Sequence, residues 1–457
     1  MKKILIFLLV CQAILPSEAA VTTLKGKVVP FISGNIRLAV YSDMISYKKE
    51  ILDVSEINPD GSFTLSADLD ETTYAFIEAN YQSGEIFLEP GIEYDMTISL
   101  EDGAGQQAYY DRGSLTYSID QQTGEDLNST IQEINLVYND FLLENAHLLQ
   151  STGGKEKVKE VSASLLSLVD EKDNDYLLQY TRYKIASLEL FFRVTSNDRI
   201  AGQYLTDQPV LYGNVEYMDF FHVYFEKYLV TNNPYFPYSK ISALVNGDAT
   251  YKAMVEELIA DPVLNDPRLA ELVLLSGLND MSAMTGFKKD RIILLLDQVM
   301  AGSSYEKHRM IASNLKEKIL WMRPGTPAPQ FELNDINGTI HALSDYQGKY
   351  LYISFISLQS IPSLTEMNLL ADIYPDYRDR FEFISILVDK PGPGWLKVIE
   401  DYRMQWDVLL SEGDYVLLEK YGAIAPPVFI LLDPEGNIQQ FPAPSPSENL
   451  KGVLDSF

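Results

Sequence analysis

Apolar and polar positions change their rhythm twice along the chain. From Val21 to about Leu100 the period is two: Leu24–Val29, Asn35–Tyr41, Ser62–Ala67, Thr73–Glu78, Glu85–Glu89 and Glu93–Ser99 alternate or are rich in β-branched residues, as half-buried strands are. Asn58-Pro-Asp-Gly61, Ser83-Gly84 and Pro90-Gly91 punctuate them as turns. Short strands joined this tightly predict a small antiparallel sandwich or barrel.

Between about Asp120 and Met322 the period becomes helical. Leu127, Ile131, Ile134, Val137, Tyr138, Phe141 and Leu142 fall at i, i+3, i+4 spacing, and Val158, Val161, Leu165, Leu168 and Val169 repeat it. Asp266-Pro267 predicts an N-cap and first-turn proline for a helix over 268–276, and Ser303 with Glu306 reads as a capping box. No repeat length recurs, so the region is expected to be an irregular all-α domain and not a solenoid. The interval Val215–Tyr238 is dense in rings: Tyr217, Phe220, Phe221, Tyr224, Phe225, Tyr228, Tyr235, Phe236 and Tyr238. Rings on an exposed face bind glycans or peptides. The helical stripe of Phe220, Tyr224 and Tyr228, with Met218 and Phe221 adjoining, points instead to core.

After Met322, strands and helices alternate. Pro324-Gly-Thr-Pro-Ala-Pro329 predicts a stiff linker. Beyond it come a hairpin around Asn337-Gly338, a buried strand at 348–355, a helix at 363–374 and a second buried strand at 381–388. Helices at 395–402 and 414–421 and a closing hairpin across Asp433-Pro-Glu-Gly436 follow, which together make an α/β sheet. The expected organisation is a leader at 1–19, a small β domain at 20–105, a helical domain at 120–322 and an α/β domain at 325–457.

Composition changes this picture at the N-terminus. Lys2 and Lys3, the apolar run Ile4–Val10 and the small-residue exit Ser17-Glu-Ala19 have the layout of a secretory signal peptide cleaved after Ala19. A lipidated Cys11 is the competing reading, but Val10 is not the small residue such signals place before the cysteine. Cys11 is the only cysteine, so cleavage leaves a chain without a thiol, expected in the periplasm or cell envelope. No other stretch approaches the ~18 apolar residues of a membrane span. The formal charge is −29, and loss of the leader makes it one unit more negative. Such an excess opposes nucleic acid and anionic lipid, which need clustered Lys and Arg.

Chemistry is sparse. His147, His222, His308 and His341 are scattered, and the acidic run Asp170–Asp175 lacks calcium-loop spacing. No glycine-rich phosphate loop stands between a strand and a helix. No catalytic residue, metal ligand or cofactor is therefore expected.

Four phrases of the last quarter carry a resemblance: Gly-Thr-Pro-Ala-Pro-Gln-Phe-Glu-Leu at 325–333, Leu-Ser-Asp-Tyr-Gln-Gly-Lys-Tyr at 343–350, Glu-Met at 366–367, and Ala-Pro-Pro-Val-Phe-Ile-Leu-Leu-Asp-Pro-Glu-Gly-Asn-Ile at 425–438. In this order they resemble the thioredoxin-like superfamily, in its exported TlpA/ResA-type branch related to the peroxiredoxins. Asp60-Gly-Ser-Phe63 and Leu88-Glu-Pro-Gly91 likewise resemble the small β domain that precedes such domains in Gram-negative envelope proteins. The resemblance implies a cis peptide at Pro426-Pro427. It also implies that the attacking cysteine falls on Ser360, the resolving one on Ser363, and the buried acid near Ser354.

A serine hydroxyl does not ionise near neutral pH and forms no mixed disulfide, so the family chemistry is excluded at these positions. Serine hydrolysis needs a base, and only His341 lies in this domain, on its early hairpin. Ser363 is expected to serve as helix N-cap. The turn Ser360-Ile361-Pro362-Ser363 and the loop Pro426-Pro427-Val428 are then expected to form a binding surface for an envelope protein or peptide, by strand addition. Two other readings are a modulator of a thiol-disulfide oxidoreductase system, and glycan or peptide binding by the helical domain.

Overall fold

A computed structural model of the chain describes residues 20–32, 34–79, 82–100, 114–123, 126–149, 151–169, 174–231, 235–389, 392, 394–412, 414–423 and 425–457. The expected leader with Cys11, and residues 170–173 of the acidic run, lie outside the described residues. The chain divides into two compact units, the first built from 20–79, 83–100 and 114–226, the second mainly from 227–457. The helices of the 120–322 span are shared between them.

The first unit begins with strands β1 (Ala20–Val29), β2 (Asn35–Tyr41), β3 (Lys49–Glu56), β4 (Ser62–Leu69), β5 (Thr73–Ala79), β6 (Gln82–Leu88), β7 (Glu93–Leu100) and β8 (Leu115–Gln122). They form two sheets, β4-β1-β7-β8 and β3-β2-β5-β6. β1 with β4, β2 with β3 and β5, and β7 with β8 pair antiparallel, whereas β1 and β7 run parallel. Gly26 in β1 permits that close approach, because a Cβ there would meet the Met96 carbonyl at 1.9 Å. Period-two burial along β4 turns Phe63, Leu65, Ala67 and Leu69 inward against Leu24, Ile36, Leu38 and Ile77.

Strands β3 and β8 were not legible as strands. Both lie at sheet edges and neither carries a continuous buried face, so pairing to β2 and β7 specifies them more than their own pattern. On the other face of the β3-β2-β5-β6 sheet, Phe87 joins a helical core made by α1 (Leu127–Asn145), α2 (Thr152–Leu166) and α3 (Asp175–Phe191). Helices α4 (Asn197–Tyr204) and α5 (Val215–Tyr224) complete the unit. The aromatic interval is core for the most part, with Tyr217, Phe220, Phe221, Phe225 and Phe236 buried. Since α5 ends at Tyr224, Tyr228 falls outside the expected stripe, and its hydroxyl donates to the Asp261 carboxylate at 2.8 Å.

The second unit opens with α6 (Tyr238–Asn246), α7 (Tyr251–Leu258), α8 (Pro267–Ser282), α9 (Lys289–Gly302) and α10 (Glu306–Leu320). Helix α8 is capped by Asp266 as expected and is apolar nearly all round, which makes it the central helix of this group. The expected capping box at Ser303 is not formed. Ser303 Oγ donates to the buried Glu271 carboxylate, which His308 Nδ1 also meets at 2.9 Å, and Tyr305 takes the N-cap position of α10. A buried carboxylate is costlier to leave unsatisfied than an exposed helix end, so it claims the hydroxyl.

A seven-stranded sheet follows: β9 (Glu332–Asp335), β10 (Ile340–Ala342), β11 (Tyr350–Ile356), β12 (Phe381–Leu387), β13 (Asp407–Leu410), β14 (Val428–Leu432) and β15 (Ile438–Gln440), in the order β10-β9-β13-β12-β11-β14-β15. Strands β11, β12 and β13 are parallel and the others antiparallel. Helices α11 (Ile361–Tyr377), α12 (Trp395–Asp401), α13 (Tyr415–Lys420) and α14 (Leu450–Leu454) complete the layers. Residues 325–328 are not the free spacer their composition suggests. Gly325 and Ala328 donate to Ile438 and Gly436 at 2.7 and 3.0 Å, and Ile438 donates to Thr326, so the segment is laid along the closing hairpin.

Candidate functional site

The central strand β11 is buried along nearly all its length because sheet and helices cover both faces. It ends in a turn fixed by short hydrogen bonds. Ser357 Oγ accepts from Gln359 N at 3.1 Å, and Ser360 N donates to Ser357 O at 3.2 Å. Ser360, not Ser363, is then the N-cap of α11: its Oγ accepts from Ser363 N at 3.4 Å. Pro362 sits in the first turn, where its missing N–H costs nothing. Ser363 is fully buried and its hydroxyl turns back to accept from Ser357 N at 3.3 Å. The expected cap therefore shifts by one helical turn, because the inward position of Ser363 meets the strand end and not the orphan amides of the helix.

Beneath this turn lies a neutral network. Ser354 Oγ stands 2.7 Å from Ser385 Oγ and donates to Ile384 O at 3.1 Å, while Trp406 Nε1 donates to Ser385 Oγ at 2.8 Å. Met367 sulfur closes it at 3.8 and 3.4 Å from the two hydroxyls. Burial of these groups is matched by partners, which is how buried polar atoms are tolerated.

Val428 pairs with Phe355 at the start of β14, so the Pro426-Pro427 loop leaves the sheet at the same edge as the 357–360 turn. The Pro426-Pro427 peptide is cis, as the resemblance implied. Ile361 is 79% exposed and Val428 half-buried at that edge. Asp389, just past β12, also belongs there; its Oδ2 is buried with no hydrogen-bond partner among the described residues. Nothing in the sequence singled out this residue, since one Asp after a strand has no pattern.

His341 is placed elsewhere. It lies on β10, four inter-strand steps from β11, or about 19 Å at ~4.8 Å a step. There its Nδ1 is 3.1 Å from Tyr346 Oη and its Nε2 3.6 Å from Asp335. It is no base for Ser360. Among the described residues no group of three or more His, Cys, Asp or Glu is arranged to hold a metal, and no helix is long and apolar enough to cross a membrane.

Residues 324–441 match the AhpC/TSA family. The thiol-disulfide oxidoreductase ResA of Geobacillus kaustophilus is 30% identical over 117 residues, which cover 25% of this chain and 67% of that protein. Through this domain the chain belongs to the thioredoxin-like, ResA-type family. A second ResA, from Geobacillus thermodenitrificans, is 28% identical over 135 residues, 29% of this chain and 77% of its own length. The crystal structure of the thioredoxin domain of a thiol-disulfide oxidoreductase from Bacteroides vulgatus is 28% identical and is covered to 97%, against 30% of this chain, with a TM-score of 0.28. The ResA-type match thus concerns the domain of the β11–α11 turn.

Proposed function

We propose that the thioredoxin-like domain is a redox-inactive protein- or peptide-binding module of an exported envelope protein. The observation that carries this reading is the presence of Ser at both 360 and 363, in a turn where each hydroxyl already has a structural partner. Thiol-disulfide exchange needs a thiolate that attacks and a second thiol that resolves, and a hydroxyl supplies neither. The neutral Ser354–Ser385–Trp406 network likewise offers no carboxylate to accept a proton. The leader-like sequence Met1–Ala19 supports export.

The contact surface on this reading is Ser360, Ile361, Pro362 and Ser363 with Pro426, Pro427 and Val428. Exposure of Ile361 at the same edge as the half-buried Val428 supports it, since an extended chain laid there finds an apolar contact. In an insulin-reduction assay the mature chain is expected to run at the buffer rate, and thiol-dependent turnover would overturn the reading. Partners cross-linked from an envelope extract should be lost with Ile361→Asp and Val428→Asp together. Retention of every partner would remove the turn from the interface. Family membership favours a second reading, in which the chain modulates a thiol-disulfide oxidoreductase; faster turnover of such an enzyme on adding this chain would select it.

A further inference from the structure

The strands beside the β11–α11 turn end flush. Leu410 of β13, Leu387 of β12 and Ile356 of β11 share one row of the sheet, and Val428 opens β14 opposite Phe355. Val388 N donates to Ile356 O at 2.9 Å and Ser411 N to Leu387 O at 3.1 Å, which carries the alignment past the last paired residues. The residues that follow are therefore neighbours along one edge: Ser357 and the turn after β11, Asp389 after β12 and Glu412 after β13. In a sheet of this class the carboxyl ends of the parallel strands are where ligands meet the fold.

Along this edge the chemistry passes from apolar to acidic. Ile361, 79% exposed, follows the β11 turn, and the half-buried Val428 opens β14. In the order β13-β12-β11-β14, Asp389 lies two inter-strand steps from Val428 and Glu412 three, or about 10 and 14 Å at ~4.8 Å a step.

Neither acid is matched within the described residues. Asp389 Oδ2 is buried without a hydrogen-bond partner, and the exposed Glu412 enters no ion pair. Asp414, by contrast, commits its carboxylate to capping α13 and accepts from Leu417 N at 3.0 Å. Lys349, Arg403 and Lys451 of this domain pair with Glu382, Asp372 and Asp376 instead. Lys390 lies outside the described residues, and in sequence Asp389, Glu412 and Asp414 outnumber it at this edge. A carboxylate oxygen withdrawn from water without a donor is costly, and a charged donor offsets that cost best.

We propose that the occupant of the turn surface is an extended chain with a lysine or arginine three or four residues from an apolar one. The apolar side chain lies against Ile361 and Val428, and the cation is read by Asp389 and Glu412. The spacing follows from the edge itself, since about 10 to 14 Å is three to four residues of extended chain at ~3.3 Å each. Rotation about the last side-chain bond lets Asp389 present either oxygen. An acidic chain would meet like charge at the same place. This inference rests on the peptide-binding reading of the domain and adds to it the charge of the partner.

Titration calorimetry of the whole chain with the peptide acetyl-X-Ser-Thr-Val-Ile-Val-Thr-Ser-X-amide tests it, with X as Lys, Gln or Glu at both ends so that either chain direction presents it. The Lys peptide is expected to bind saturably, the Gln peptide about fivefold more weakly and the Glu peptide more weakly still. Salt should weaken the Lys peptide and leave the Gln peptide unchanged. Asp389→Asn should remove most of the Lys preference without altering the Gln peptide, and Ile361→Ala should weaken all three alike. Far-ultraviolet circular dichroism checks that the variants fold. A Lys preference that survives Asp389→Asn overturns the inference, as does binding indifferent to Ile361→Ala. Equal binding of the three peptides, all weakened by Ile361→Ala, overturns it while the peptide-binding reading stands. No saturable heat from any of them at millimolar peptide overturns it whatever the envelope cross-linking gives.

Discussion

The polar side chains at the end of β11 and the Asp219 carboxylate of the first unit meet the cost of burial in different ways. At the β11 end Ser354, Ser357, Ser360, Ser363 and Ser385 are neutral, and each has a partner within the domain. Asp219 is exposed at the surface of α5, yet burial by the surrounding protein raises its carboxyl's pKa. In the hydroxyl network the cost of burial is met by partners within the domain. At Asp219 it falls on the charged form instead.

The most severe test of the first half is to restore the sulfurs. If the turn geometry survives beneath the serines, Ser360→Cys with Ser363→Cys places two thiols one helical turn apart at the start of α11, where the helix N-terminus stabilises a thiolate. The double variant should form an intramolecular disulfide and reduce insulin, where the parent gives nothing. Two free thiols that never pair under an oxidising glutathione buffer would show that the turn has lost the geometry as well as the chemistry. A smaller effect is expected from Trp406→Phe, which removes the donor to Ser385 Oγ without opening a large cavity. Loss of that buried hydrogen bond should cost about 1 kcal/mol in urea unfolding. An unchanged midpoint would mean that the network is ornamental.

Much of this was legible in the chain. The period-two strands, the helical stripe of Leu127–Leu142 and the α/β alternation after Met322 all carry a buried face, and a buried face leaves a pattern. What was missed lacks one. Strands β3 and β8 are half-exposed edges, and β13 is four residues long, positioned by pairing with β12 and β9. Ser303 and Ser363 were assigned to caps because a serine before a helix usually is one. Each is instead drawn to a buried partner, Glu271 for Ser303 and the Ser357 amide for Ser363, which a cap pattern does not register. The ring cluster of Tyr41, Tyr47, Phe76 and His222 leaves no local pattern either, because its members come from separate segments.

The smallest predicted effect concerns Asp219 through pH. Burial raises the Asp219 carboxyl above its ordinary 3.8, with Lys184 and His222 lowering it and Glu85 raising it further; Glu216, Tyr47, Tyr74 and Tyr138 are the other titratable groups around it. A raised carboxyl binds its proton more tightly in the folded chain than in the unfolded one. Its contribution to stability is therefore complete below about 3.8 and is lost as pH rises through the folded value. Asp219→Asn removes that dependence. The urea midpoint of the parent should fall relative to the variant as pH is raised from below 3.8 toward neutrality, while the two converge in acid. A gap that is flat with pH would make Asp219 an ordinary surface acid, and the contrast with the serine network would then rest on the β11 end alone.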